Sequence, residues 1–325
     1  MVSIALATYN GEQYLKEQLD SILEQSYTDI EIIACDDCST DSTPKILEEY
    51  QKKDSRFKFY INERNLGFKK NFEKCISLCN GEYIALSDQD DVWTKDHVIC
   101  LISEIGENDL ICGNAYLSNS DLTDSGTTLF DTLDIDFLPE SKQAWFFYLI
   151  HHGIIQGACT LFKKELIQKA LPIPDSVRFH DYWLSLVAAA NNGIKYLSEN
   201  CLLYYRQHGN NVTENKKNHF SDRIRKAFNN ENLKTKKEIQ INILSELLKI
   251  ETDEKKIKQI KKALLFYKRK GTLSRFLSIP YFIKYYKRIY LSKNLKRFIL
   301  RFIKFFIFGL SICNKLFILN YFIYK

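Results

Sequence analysis

The sequence predicts an α/β chain: a mostly parallel central sheet flanked by helices, followed by a basic α-helical C-terminal region. Three observations carry this. Over residues 1–90, apolar β-rich runs alternate with segments of helical periodicity. Those runs end in polar or acidic residues. The charge then divides the chain: residues 1–220 hold 20 Lys and Arg against 33 Asp and Glu, a net of −13, whereas residues 221–325 hold 26 against 7, a net of +19. We therefore expect an α/β domain over residues 1–218 and a basic helical region over 219–325. With 325 residues, 45% of them hydrophobic, the chain can bury one large core or two modest ones.

The elements follow in order. "VSIALAT" (2–8) is a first strand. In "NGEQYLKEQLDSILEQS", Tyr14, Leu15, Leu19, Ile22 and Leu23 recur at helical spacing. "DIEIIAC" (29–35) is a second strand, and "PKILEEYQKK" a helix with Ser42 or Thr43 as N-cap and Pro44 at its first position. "FKFYIN" (57–62) is a third strand, "KKNFEKCISLC" a helix, and "EYIALS" a fourth strand. The order βαβαβαβ implies right-handed crossovers and parallel pairing.

In such sheets ligands bind beyond the carboxyl ends of the strands. Those ends carry Thr8, Tyr9 and Asn10, then Asp36 and Asp37, then Asn62 to Asn65, then Ser87 to Asp91. Neither a G-x-G-x-x-G after the first strand nor a P-loop is present, which speaks against a dinucleotide or P-loop site. "SDQDDVW" instead places Asp88, Asp90 and Asp91 together. Such a cluster is costly unless a cation neutralises it, and Mg²⁺ or Mn²⁺ shared with substrate phosphates suits it. The bland alternative is an acidic turn that caps the next helix. Asp36 and Asp37 occupy the slot from which a carboxylate can bond a nucleoside, and an Asx-type turn would occupy one of them but not obviously both.

"IALATYNGEQYLKEQLDSILEQSYTDIEIIACDDCSTDST", "NERNLGFKKNF" and "GEYIALSDQDDVW" resemble the family 2 glycosyltransferases with a GT-A fold, over roughly residues 1–215. The resemblance implies a Rossmann-like nucleotide-diphospho-sugar transferase domain that binds Thr8, Tyr9, Asn10, Asp36, Asp37, Asp88 and Gln89 to the donor. Asp37 would contact the base, Asp88 the ribose or the metal, and Asp90 a divalent cation on the diphosphate. The chemistry is then displacement of a nucleoside diphosphate by an acceptor hydroxyl, with inversion if a base stands opposite the leaving group.

That base is sought in "RFHDYWLSLVAA", where Asp181 opens a helix whose buried face carries Trp183, Leu184, Val187 and Ala188. From the fragment alone Asp181 reads as an N-cap. The resemblance makes it the catalytic base, with His180 where many members have Glu. In "LLYYRQHGNN", Arg206 is expected at the diphosphate and His208 at the diphosphate or the metal, against the alternative of satisfied structural residues. Gly157 in "GIIQGACTLF" would let the chain pass close to the donor sugar. Arg64 and Asn65 follow the third strand on the donor side; Arg64 and the pair Lys69-Lys70 are expected to reach the pyrophosphate, with a solvated face as the alternative for the lysines and the preferred reading of Lys70.

Nine cysteines without a second CxxC pair read as reduced, mostly buried thiols, and with the absence of a signal-peptide pattern they suggest a cytoplasmic protein. From Lys255 to the end there are 19 basic residues and no acidic one. Within this C-terminal third the longest charge-free run, Phe305 to Asn314, is too short to span a bilayer. Arg297, Arg301, Lys304, Ser311 and Lys315 trace one polar stripe on a helix otherwise rich in Phe, Ile and Leu. We expect an interfacial helix on the inner face of the cell membrane, not a nucleic-acid partner. A dimer contact or packing on the α/β domain is the alternative. The L-rhamnose donor dTDP-rhamnose or a UDP-hexose, and a lipid-linked glycan acceptor, follow from the resemblance. A non-catalytic scaffold that binds a nucleotide sugar is the competing class.

Overall fold

A computed structural model of the chain describes residues 1–133, 135–208, 230–269, 277–295, 298–299 and 302, with main chain alone at 124 and 230–236. Two compact units result: residues 1–133 with 153–216, and residues 134–152 with 217–325. Residues 134–152 thus go with the second unit, although the sequence reading assigned them to the α/β domain. Within their aromatic run, "WFFYL", Phe147 packs against Tyr285 far along the chain (5.2 Å between ring centroids).

The first unit contains strands β1 (Val2–Thr8), β2 (Ile30–Asp36), β3 (Phe57–Ile61), β4 (Tyr83–Ser87), β5 (Val92–Trp93), β6 (Leu110–Ser118), β7 (Asp124–Thr128), β8 (Thr160–Lys163) and β9 (Ile194–Arg206). Its helices are α1 (Leu15–Leu23), α2 (Thr43–Lys53), α3 (Phe68–Ser77), α4 (His97–Glu104), the single turns α5 (Leu129–Thr132) and α7 (Ile167–Ala170), and α8 (His180–Ala190); α6 (Lys142–Leu149) lies in the second unit. Among the described residues the sheet runs β3-β2-β1-β4-β8-β6-β9-β5, with β7 on β6. The pairs β1–β2, β2–β3 and β1–β4 are parallel, as expected, and β6–β9 is parallel as well. Beyond β4 the antiparallel strand β8 inserts, so the far half is mixed.

Strand order reverses at β1. Chain growth runs from β1 outward to β3, then returns to place β4 on the other side of β1. Right-handed crossovers put α1 and α2 on one face and α3 on the other. The crevice at the ends of β1 and β4 is therefore the topological switch point, where ligands of open α/β sheets bind. The core beneath it is dry: Val2, Ile4, Ala5 and Leu6 of β1 and Ile84, Ala85 and Leu86 of β4 are fully buried. Each such Ile or Leu contributes about 1.5–3 kcal/mol of burial.

Helix α8 differs from the amphipathic expectation. Every residue from His180 to Ala190 is buried except Asp181, so the helix is enclosed on all sides and offers one half-exposed carboxylate. Helix α2 starts at Thr43 and thus carries Pro44 in its second position; the Asp41 carboxylate, not the Ser42 hydroxyl, accepts the Thr43 N–H (2.9 Å).

The second unit adds α9 (Asn230–Ile250), α10 (Glu254–Lys268) and α11 (Ile279–Tyr290) to α6. Along one stripe α9 buries Ile243, Leu244 and Leu247. Phe266, Phe282 and Tyr286 form an aromatic core. Asp253 caps α10 by accepting the Lys256 N–H (2.9 Å). No described helix is long and apolar enough to cross a membrane. The polar stripe expected from Arg297 to Lys315 lies outside the described residues.

Candidate functional site

Three loops meet at the switch point, and the acidic residues hold them together. Asp36, fully buried at the end of β2, accepts from the Thr8 hydroxyl (2.9 Å), the Ser39 N–H (2.9 Å) and the Ser39 hydroxyl (2.6 Å). Asp37 accepts from Asn62 Nδ2 (2.8 Å), the Leu66 N–H (2.7 Å) and the Gly67 N–H (2.8 Å). The Asx-type turn therefore uses Asp36, while Asp37 fastens the loop after β3; both are already hydrogen-bonded within the chain. Asn10, at φ 48°, accepts the Thr40 N–H on its Oδ1 (2.9 Å) and donates its own N–H to Ser39 Oγ (2.8 Å). Arg64 and Asn65 stand exposed at the edge of this loop cluster.

Gln89 clamps the loops that follow β1 and β4. Its Oε1 accepts the Tyr9 N–H (2.8 Å) and its Nε2 donates to the Tyr9 carbonyl (3.0 Å), so the side chain pairs with the Tyr9 backbone as a neighbouring strand would. Gly11 makes room for it: a Cβ there would lie 2.3 Å from Gln89 Oε1 and 2.5 Å from its Cδ. Tyr9 itself is held with its ring 47% exposed over the crevice loops.

The acidic loop is braced from β9. Arg206, 2% exposed, donates its backbone N–H to Asp91 Oδ1 (3.1 Å), its Nε to the Asp90 carbonyl (2.8 Å) and its Nη1 to the Ser120 carbonyl (2.6 Å). Its Nη2 pairs with Glu17, and its guanidinium lies 4.4 Å from the Tyr14 ring centroid. The expected reach of Arg206 to a diphosphate gives way to this brace, because the guanidinium is enclosed and engaged within the chain. His208 does turn toward the acidic loop: its Nε2 stands 2.8 Å from Asp90 Oδ2, and its ring packs on Tyr14 at 5.0 Å.

The electrostatics show how crowded the loop is. Desolvation, then Asp90, then Asp181 push the Asp88 carboxyl up to about 8. Burial, then Asp90, then Asp88 raise Asp91 well above the carboxylate range, and its Oδ2 is buried with no hydrogen-bond partner among the described residues. Among the described residues no three His, Cys, Asp or Glu side chains converge as a ligand set. A hard divalent cation shared with a diphosphate needs only one or two protein ligands, however, and the adjacent Asp90 carboxylate and His208 imidazole, beside surplus negative charge, fit one.

Asp181 approaches from the far side. Its Oδ2 accepts the Gly157 N–H (3.2 Å) and its Oδ1 the Tyr182 N–H (2.7 Å) at the start of α8. Gly157 is packed under the His180–Asp181 pair: a Cβ there would lie 3.3 Å from His180 Nε2 and 3.6 Å from Asp181 Cβ. Its small size thus serves the carboxylate's seat, where the sequence reading had placed a close pass to the sugar. His180 is buried and stacked on Phe72 (4.1 Å, 20°), its two ring nitrogens have no hydrogen-bond partner, and burial lowers its pKa. It acts as an apolar wedge. Lys69 donates to the carbonyls of Pro174 (3.1 Å), Asp175 (3.1 Å) and Val177 (2.9 Å), and Lys70 pairs with Glu73 and Asp175. Both lysines hold the loop that leads into α8. The Gln89 clamp, the Glu17–Arg206 pair and the Lys69 anchor were not foreseen, since contacts between residues 80 or more positions apart leave no periodic signal.

Comparison with known proteins places this geometry. A family model described as glycosyl transferase family 2 matches residues 3–171. An uncharacterized glycosyltransferase of Haemophilus influenzae is 30% identical over 314 residues, which cover 91% of this chain and 94% of the relative. The dTDP-rhamnosyl transferase RfbG of Shigella flexneri is 33% identical over 220 residues, 63% of this chain and 72% of its own. Among solved structures, S. aureus TarS in complex with UDP-GlcNAc matches with a TM-score of 0.56 at 21% identity, covering 92% of this chain and 80% of that one. The mannosyltransferase PcManGT from Pyrobaculum calidifontis, in complex with GDP-Man and Mn²⁺, matches with a TM-score of 0.52 at 16% identity, covering 88% and 74%. At those identities the structures speak for the fold, a GT-A sheet followed by a helical region. By the match of its α/β half and by a relative aligned over nearly its whole length, the chain belongs to glycosyl transferase family 2.

Proposed function

We propose that the chain is an inverting glycosyltransferase that moves a sugar from dTDP-rhamnose or a UDP-hexose to a hydroxyl of a cell-surface polysaccharide precursor, carried on a lipid. The seat of Asp181 carries the reading: its carboxylate accepts the Gly157 and Tyr182 N–H groups at the start of α8 and, after burial and Asp90, helps raise the Asp88 carboxyl. In this reading the two carboxylate groups serve one crevice in different roles. The likeness to RfbG supports a deoxythymidine-linked donor, and TarS with UDP-GlcNAc supports a nucleotide sugar more generally.

In this reading the platform formed by Thr8, Tyr9, Asn10, Asp36 and Asp37 receives the nucleoside, with Arg64 and Asn65 at its rim. The acceptor oxygen forms a bond to the anomeric carbon as the bond from that carbon to the diphosphate oxygen breaks, and the hydroxyl proton passes to Asp181. Two backbone N–H groups and the α8 N-terminus orient that carboxylate. Asp90 and His208 would hold a Mg²⁺ or Mn²⁺ ion, supported by Asp88; the ion would supply charge neutralisation for the departing diphosphate. The basic C-terminal region would keep the enzyme at the anionic inner face of the membrane, next to a lipid-linked acceptor.

Calorimetry of the purified chain against UDP, dTDP and GDP, with and without Mn²⁺, tests the reading. Metal-dependent binding of one nucleotide is expected. Failure to bind any of the three would overturn the donor site, and metal-dependent binding without turnover would transfer support to the non-catalytic scaffold. Asp181→Asn should abolish transfer while leaving donor binding intact, and retained turnover would remove Asp181 as base.

A further inference from the structure

Within the second unit, α10 and α11 leave between them an open groove of about 340 Å³, in the size range of ligand sites. Its floor is aromatic, with Phe266 buried and Tyr281 and Tyr285 half-buried. Its apolar rim stands in water: Leu265 is 55% exposed and Leu277 67%. Lys262, Arg269 and Lys284 surround it. Arg269 donates one bond to the Ser278 hydroxyl (2.9 Å), and Lys284 lies 5.4 Å from the Tyr285 ring centroid. No Asp or Glu follows Glu254 in the chain, so past the first turn of α10 neither helix offers these cations a carboxylate.

Exposed leucines alone would fit many partners, and lysines alone would fit water. Here the two alternate within one turn. Leu265 is set between Lys261, Lys262 and Lys268, and Ile283, 56% exposed, precedes Lys284 and Lys287. This is the order of a lipid–water boundary, where apolar side chains enter the acyl region, tyrosines sit at headgroup level and long cations reach back to phosphate. The charge complement of the groove is anionic.

We infer that this groove is a headgroup site for an anionic phospholipid, with Lys262, Arg269 and Lys284 on the phosphate and Leu265 and Leu277 among the acyl chains. The inference rests on the membrane-surface reading above and gives it a defined contact, separate from the stripe between Arg297 and Lys315.

The test is sedimentation of the full chain with vesicles of phosphatidylcholine alone and of an equal mixture of phosphatidylcholine and phosphatidylglycerol. The wild type should bind only the mixture. Loss of three cations predicts a partition coefficient lower by about a hundredfold, and the reversal K262E/R269E/K284E should lower it further. L265S/L277S should leave a weaker binding that added salt removes. Both variants should keep wild-type nucleotide binding and circular dichroism, and R301E/K304E/K315E serves as the comparison at the stripe. If the wild type ignores the mixed vesicles, the membrane reading fails and the groove with it. If only the stripe variant loses binding, the membrane reading stands and the groove site is overturned. Equal binding to phosphatidylcholine, or release by millimolar inorganic phosphate, also overturns it.

Discussion

Gly11→Ala should break the clamp between the loops that follow the first and fourth strands. The added Cβ would fall 2.3 Å from Gln89 Oε1 and 2.5 Å from Cδ, inside any tolerable contact. The obstacle is the far end of a flexible side chain, so Gln89 swings away and the backbone stays. What is lost is its pair of hydrogen bonds to Tyr9, at 2.8 and 3.0 Å. At about 1 kcal/mol each, with exposed partners that water can satisfy again, the cost is about 1–2 kcal/mol. For a unit of this size that corresponds to a drop of about 2–8 °C in Tm. Donor affinity should fall with it, because Tyr9 loses its fixed place beside the crevice. The assay is a double-mutant cycle with Gln89→Ala, read by thermal unfolding and by nucleotide calorimetry. In the Gln89→Ala background the glycine has nothing to avoid, so Gly11→Ala should cost less than about 0.5 kcal/mol. An equal cost in both backgrounds would show that the glycine answers to something other than Gln89 and would refute the clamp.

Arg206→Met should destabilise by about 3 kcal/mol or more in denaturant unfolding, since it strips a buried brace from Asp90 and Glu17; unchanged stability with lost nucleotide binding would return Arg206 to the diphosphate. Lys69→Met frees the loop from Pro174 to Val177, and kcat should fall about ten- to a hundredfold at constant nucleotide affinity, measured by separate turnover and binding assays. His180→Phe keeps the stack on Phe72 and removes two unpaired nitrogens, so Tm should hold or rise; a fall would mean that the ring nitrogens have partners of their own. His97 is fully buried on Trp93, and burial lowers its pKa to about 4. The unfolded chain takes up that proton near pH 6.5 while the folded chain refuses it, so stability is intact above pH 6.5 and falls as the pH drops toward 4, by roughly 3 kcal/mol. Urea unfolding of His97→Asn across that range should show a slope shallower by about one proton.

Much of the site was legible because it sits at strand ends. A largely apolar run announces its own terminus, and the polar residues at or just past that terminus, such as Thr8, Asp36 and Asp88, mark the crevice. The roles of those residues were less legible. Asp36 and Asp37 look alike in sequence, yet one closes its own turn on Ser39 and the other ties down a loop 29 and 30 positions away. Arg206 closes β9 and turns into the interior, whereas His208, two positions on and past the strand's end, stands against Asp90; continued strand alternation would have put both on one face, so only the fold separates them.

By itself the sequence determined the alternation of strand and helix, the parallel start of the sheet, the position of the acidic loop and the reversal of charge near residue 220, because each is written in neighbouring residues. Only the tertiary structure decided that Gln89 grips Tyr9, that Gly157 seats Asp181, that Lys69 anchors the approach to α8, and that residues 134–152 go with the C-terminal helices. Those outcomes depend on which elements pack together. A hydrogen bond or a clash between residues 24 to 116 positions apart exists only once the sheet has brought them within a few ångströms of each other.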